Sequence, residues 1–154
     1  MIIMVTGSMY SGTNEVAEDL EARETITSKH EVIVVNDIWF AKRMTEQIEN
    51  ASEKLIVIHM CMEEEKLAKR IMDEYPAVPT QDAAWIAKDE MITETACNFD
   101  ETIPDDMMLI TYTGESNIPI SKFVDICESL INGEPIMEFE TRTTLEETDG
   151  YKRS

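Results

Sequence analysis

Residues Gly7-Ser8-Met9-Tyr10-Ser11-Gly12 form G-x-x-x-x-G, directly after an apolar run and directly before a helical pattern. A loop of this kind can hold phosphate, because successive backbone N–H groups turn into a concavity at a helix N-terminus. The motif normally continues with Lys and then Ser or Thr, supplying a point charge for the outer phosphates and a hydroxyl for magnesium. Here those two positions are Thr13 and Asn14. Gly7, Ser8, Ser11, Gly12, Thr13 and Asn14 are therefore the candidate phosphate-binding residues, with the Thr13 hydroxyl one position early. A plain strand-to-helix turn is the competing reading.

Other residues could add the missing charge. Lys66, Lys69 and Arg70 are spaced i, i+3 and i+4, so on a helix they share one face. Cations over bridging oxygens are what phosphoryl transfer requires, since that chemistry is mostly positioning and charge stabilisation. A solvated face paired with Glu63, Glu64 and Glu65 would give the same pattern. Asp37 ends an apolar run, where its carboxylate could hold magnesium, accept a proton or cap the next helix. Lys42 and Arg43 lie one turn further on, where either could meet a substrate phosphate or simply face solvent. His59 and Cys61 point to one side of a strand, but two ligands do not make a metal site, and a satisfied core histidine is expected. Trp39 and Trp85 are expected to pack.

The elements that must position these groups alternate in type. Ile2 to Thr6, Glu31 to Val35, Leu55 to Met60 and Met107 to Tyr112 are apolar runs rich in branched residues, as buried strands are. Between them lie helical patterns at residues 13–23, 38–50, 63–75 and 81–98, and a last helix follows, capped by Ser121 and closed by Asn132-Gly133. Pro135 to Phe139 reads as an edge strand before a mobile tail. Such alternation predicts an α/β domain: a doubly wound parallel sheet of four to five strands with helices on both faces. Ligands of such sheets bind beyond the carboxyl ends of the strands, where the glycine loop falls.

Global composition narrows the function further. The 154 residues include 13 Lys+Arg against 32 Asp+Glu, a net charge of −19. That field repels phosphate backbones and argues against direct binding of nucleic acid. Six of the 13 bases fall in residues 42–70, whereas residues 71–154 carry five bases and 19 acids. No apolar run is long enough to span a membrane, and the short apolar start lacks the basic flank of a signal peptide. Three widely spaced cysteines, Cys61, Cys97 and Cys127, suit a reducing, cytoplasmic setting.

The segment from Tyr10 to Leu20, YSGTNEVAEDL, resembles the loop and first helix of cytidylate-kinase-like P-loop proteins, some of which have a Ser/Gly-rich loop without lysine. Glu31 to Asp37, followed by Ile38-Trp39, is similar to the nucleotide-kinase strand that ends in an acid near magnesium or substrate. Leu55 to Met60 and then Lys66 to Arg70 are similar to a late strand feeding an arginine-bearing lid helix. The resemblance implies a P-loop kinase-like domain over residues 1–132, with a lid-like segment at 63–98 and an acidic, partly mobile extension at 133–154. It further implies a nucleoside or deoxynucleoside monophosphate kinase using Mg2+ and a nucleoside triphosphate. Gly7 to Asn14 would hold the donor phosphates, Asp37 and Thr13 the metal, Lys66, Lys69 and Arg70 the transferred charge, and Lys42 and Arg43 the substrate. The chain departs from the family at the loop lysine and by having a single lid arginine. Those departures motivate the alternative: a catalytically inactive, kinase-like acidic protein that binds or inhibits a basic or nucleic-acid-binding partner.

Overall fold

The computed structural model describes residues 1–47, 55–113, 118–133 and 142–144. Five strands form one parallel sheet: β1 (Ile2–Gly7), β2 (Glu31–Val35), β3 (Leu55–Met60), β4 (Met108–Tyr112) and the short β5 (Arg142–Thr144). Their spatial order is β2-β1-β3-β4-β5. The chain moves outward from β1 to β2, then crosses back to place β3 on the other side of β1. That reversal is the switch point of a doubly wound sheet, and it opens a crevice at the carboxyl ends of β1 and β3. The expected fold class is the one found.

Helices cover both faces. On one side α1 (Thr13–Glu21), α2 (Glu24–Thr27) and α7 (Ile120–Ile131) bury Val16, Leu20, Ile26, Phe123, Cys127 and Leu130 against Ile3, Val5, Ile56, Ile58 and Ile110. On the other, α3 (Ile38–Glu46), the end of α5 (Thr80–Cys97) and α6 (Phe99–Thr102) bury Ile38, Ala41, Cys97, Phe99 and Ile103 against Met4, Leu55, Val57 and Leu109. The strands alternate their side chains between the two cores, which is why each run is apolar throughout. Between β3 and α5 lies α4 (Glu64–Glu74), and α4 and α5 form a hairpin with its own small core of Leu67, Ile71, Ala83 and Ala87, against which Tyr10 of the loop packs.

Several sequence expectations shift in detail. The last helix is entered through Pro119, whose backbone occupies the N-cap, so Ser121 sits inside the first turn and does not cap it. Asn132 closes the helix as expected, with its N–H on the Glu128 carbonyl. Neither tryptophan is buried: Trp39 is 42% exposed, with Lys42 over its ring, and Trp85 68%. The helix expected at 38–50 is described to Glu46, and the edge strand expected at Pro135 to Phe139 lies outside the described residues. A fifth strand, Arg142–Thr144, pairs in parallel with β4 at Leu109 to Thr111.

The larger core predicts its own sensitivity. Phe123 is fully buried, edge-on to Tyr112 at 4.8 Å between ring centroids. Phe123→Ala is expected to lower the free energy of unfolding in urea by about 3–5 kcal/mol. Phe40, 48% exposed, should tolerate Ala within about 0.5 kcal/mol; equal losses at both positions would contradict this packing.

Candidate functional site

The glycine loop sits at the switch point, and its shape is imposed by the sheet. Gly7 has φ +144°, and a Cβ there would stand 2.3 Å from the Met60 carbonyl oxygen of β3. No side chain fits so close an approach. Gly12, at φ +91°, takes the N-cap of α1 with Arg70 and Ile120 packed over it. Between the two glycines the loop bonds to itself. The Ser11 N–H and hydroxyl both donate to the Ser8 carbonyl, at 3.0 and 2.5 Å, and the Tyr10 N–H donates to the Ser8 hydroxyl at 3.3 Å. Ser8, Ser11 and Thr13 are buried and Asn14 is exposed. The Thr13 hydroxyl donates to the Asn36 side chain at 2.7 Å, tying α1 to the end of β2.

Two cavities lie near this loop with different linings: Gly7 and Ser8 border one of them, and Arg70 connects the other to the loop. On one side, Lys66, Lys69 and Arg70 of α4 line a space of about 560 Å3 with Met62, Tyr112 and Ile118, and Glu65 and Asp73 complete it. The shared helix face expected from their spacing is therefore present. Arg70 reaches furthest: its Nε donates to the Tyr10 carbonyl at 3.0 Å, and its guanidinium pairs with Glu15 of α1. A cation of α4 thus reaches the loop, with an acidic partner.

The second cavity, about 240 Å3, is lined by Gly7, Ser8, Asn36, Asp37, Ile38, Glu90, Thr93 and Glu94. Asp37 caps α3, accepting from the N–H groups of Trp39 and Phe40 at 3.0 and 3.2 Å. Burial pushes the Glu90 carboxyl up, opposed by a hydrogen bond from Ser8. Lys42 and Arg43 do not line either cavity. Lys42 donates to the Cys97 carbonyl at 3.3 Å, where a cation suits the carboxyl end of α5, and Arg43 lies over the Phe40 ring.

Near the loop is an ion cluster built on the buried His59 and Glu94, with Asp100 partly exposed, that pairs residues far apart in sequence. His59 of β3 lies between Asp100, 2.6 Å from Nδ1, and Glu94, 2.9 Å from Nε2. Burial by itself would drive the imidazole toward its neutral form, but hydrogen bonds to Asp100 and Glu94 outweigh this and hold its pKa at about 9. The expectation of a satisfied core histidine is met. Cys61 lies close by, its thiol pushed up to about 12 by burial and then by the charges of Glu94 and Asp100. Glu90 and Glu94 are i and i+4 on α5, one face aimed at the loop and at β3, and that spacing was the available sequence signal.

No protein-family model and no curated protein matches the chain. The fold and the two cavities define an α/β protein with a glycine-bracketed loop at its switch point.

The His59 cluster sets a pH dependence. Its folded pKa lies above its ordinary 6.5, so its contribution to stability is complete below about pH 6.5 and is lost as pH rises through about 9. His30, held down mainly by burial, acts below 6.5, and the raised thiols of Cys61 and Cys127 act only above 9.0. Unfolding free energy measured in EDTA-containing buffer should therefore fall between pH 6.5 and 9, and His59→Gln should flatten that slope. A wild-type profile flat across this window would contradict the charge state assigned to His59.

Proposed function

We propose that this chain binds a nucleoside phosphate between α4 and the glycine loop, and that its reaction is phosphoryl transfer from a nucleoside triphosphate to a nucleoside monophosphate. The observation that carries the reading is the cavity of about 560 Å3 lined by Lys66, Lys69 and Arg70, with Glu65 and Asp73, whose Arg70 reaches the loop at the Tyr10 carbonyl. Its size suits a nucleotide, and Tyr112 and Ile118 supply an apolar wall for a base. In a protein of net charge −19, a wall holding three of 13 bases is a local exception that a polyanion would need. Lys66 and Lys69 are assigned to phosphate oxygens, and Arg70 to the loop-side phosphate once it leaves Glu15. Asp37, with Thr13 and Asn36 next to it, is assigned to Mg2+, which would offset the carboxylates of the second cavity.

A second reading rests on a specific feature of the same site. The loop N–H groups of Tyr10 and Ser11 are taken up by Ser8, and Arg70 is paired with Glu15. A kinase-like protein with these bonds fixed would be catalytically inactive, and its acidic surface would engage a basic partner protein.

Calorimetric titration with ATP and with nucleoside monophosphates, each with and without Mg2+, tests both. The first reading expects saturable binding that the Lys66→Ala/Lys69→Ala double variant weakens at least about tenfold, as loss of charge-assisted contacts does. Binding without phosphoryl transfer in a coupled assay would leave only an inactive binder. Absence of any binding at millimolar nucleotide would remove the nucleotide reading altogether.

A further inference from the structure

We propose that His59, Cys61 and Glu94 form a transition-metal site of the zinc type, with three protein ligands and an open fourth position. His59 Nε2, Cys61 Sγ and a Glu94 carboxylate oxygen lie within 4.8 Å of one another. Tetrahedral zinc, with bonds of about 2.0–2.3 Å, holds its ligand atoms roughly 3.5 Å apart. Closing the set therefore takes side-chain movement of about an ångström, well within rotamer adjustment. The ligands come from rigid elements: His59 from the central strand β3, Cys61 just beyond its end, and Glu94 from the 18-residue helix α5.

The surroundings of His59 are those of a metal-binding imidazole. Asp100 lies 2.6 Å from Nδ1, which would keep the proton on that nitrogen when Nε2 gives up its own and leaves Nε2 on the far side of the ring. A carboxylate in that role orients the ring and makes the coordinating nitrogen a better donor. Nε2 then faces Glu94 at 2.9 Å, with the His59 and Glu94 side chains only 4% and 8% exposed. In the metal-free protein a proton bridges these two atoms. Metal binding replaces that proton and the Cys61 thiol proton, releases both to solvent, and forms one bond each to nitrogen, sulfur and oxygen. No oxidant or reductant takes part. A thiolate and an imidazole favour zinc over magnesium, which requires oxygen ligands. A cavity of about 170 Å3 adjoins the three ligands, roomy enough for a water at the fourth position. None of the cations of α4 contributes a ligand, so this site stands or falls independently of nucleotide binding.

The test uses the reduced full chain and Co2+ as a spectroscopic stand-in for zinc. The expected result is one-to-one binding with a thiolate-to-cobalt charge-transfer band and tetrahedral ligand-field bands, both abolished by adding Zn2+. Cys61→Ser should remove the charge-transfer band, while Cys127→Ser, in α7 on the opposite core, should keep it. Asp100→Asn, at a positioning residue, should weaken Co2+ binding by roughly tenfold or more while retaining the charge-transfer band. Lack of a charge-transfer band in the wild-type protein would overturn the proposal without recourse to any variant. So would a band undiminished in Cys61→Ser.

Discussion

The array Asp100–His59–Glu94 is the interaction on which the rest of the molecule depends. Taking an imidazolium and the Glu94 carboxylate out of water is expensive, and only close, well-directed partners repay it. The geometry here supplies both, at 2.6 and 2.9 Å. Its consequence is mechanical as much as electrostatic. His59 belongs to the central strand, Glu94 to the long helix of the hairpin and Asp100 to the short helix after it, so one side chain fastens two helices to the sheet. Removing it would leave the buried Glu94 carboxylate, and the partly exposed Asp100, without their cation and loosen both helices from the sheet. The cluster therefore fixes where α5 lies, and with it the acids that line the loop.

The position of α5 in turn divides the charge around the glycine loop. Its Glu90 and Glu94 border one cavity, while the bases of α4, packed against it through Leu67, Ile71, Ala83 and Ala87, border the other. The loop borders the acidic cavity through Gly7 and Ser8 and meets the bases of α4 through Arg70. Tyr10 carries both relations: its ring packs on the hairpin core, and its carbonyl accepts from Arg70. A change in the hairpin would therefore be felt at the loop through packing and hydrogen bonding together, as expected where interior density leaves little slack.

The sheet and its helices were legible because each strand is short, uniformly apolar and followed by a helical period, a pattern that parallel strands buried on two faces enforce. The loop was legible because Gly7 has to let the backbone meet the Met60 carbonyl, and only glycine does so. Lys66, Lys69 and Arg70 were legible as a face because helical spacing fixes it. What remained hidden depends on pairs distant in sequence. Arg70 meets Glu15 across 55 residues, and His59 meets Glu94 and Asp100 across 35 and 41. Periodicity carries no information at such separations. Lys42, read one turn beyond Asp37 as meeting a substrate phosphate or facing solvent, donates instead to the Cys97 carbonyl at the carboxyl end of α5, a contact 55 residues away in sequence.

Ser8 and Ser11 explain how a loop of this shape persists without lysine. Backbone N–H groups pointing into a concavity need an acceptor, and in a buried loop an unsatisfied donor costs about 1–3 kcal/mol. A bound phosphate would meet that need; here Ser8 meets it, through its carbonyl for Ser11 and its hydroxyl for Tyr10. The same hydroxyl also binds Glu90, linking the loop to the acidic face of α5. An anion entering the loop would have to displace these serine bonds, so its affinity would be the difference between two sets of hydrogen bonds rather than the sum of one. A lysine would tip that difference with a full charge. If an anion enters there, as proposed, the balance would pass to α4, and to Arg70 first, because its bond to the Tyr10 carbonyl holds the guanidinium at the rim of the loop.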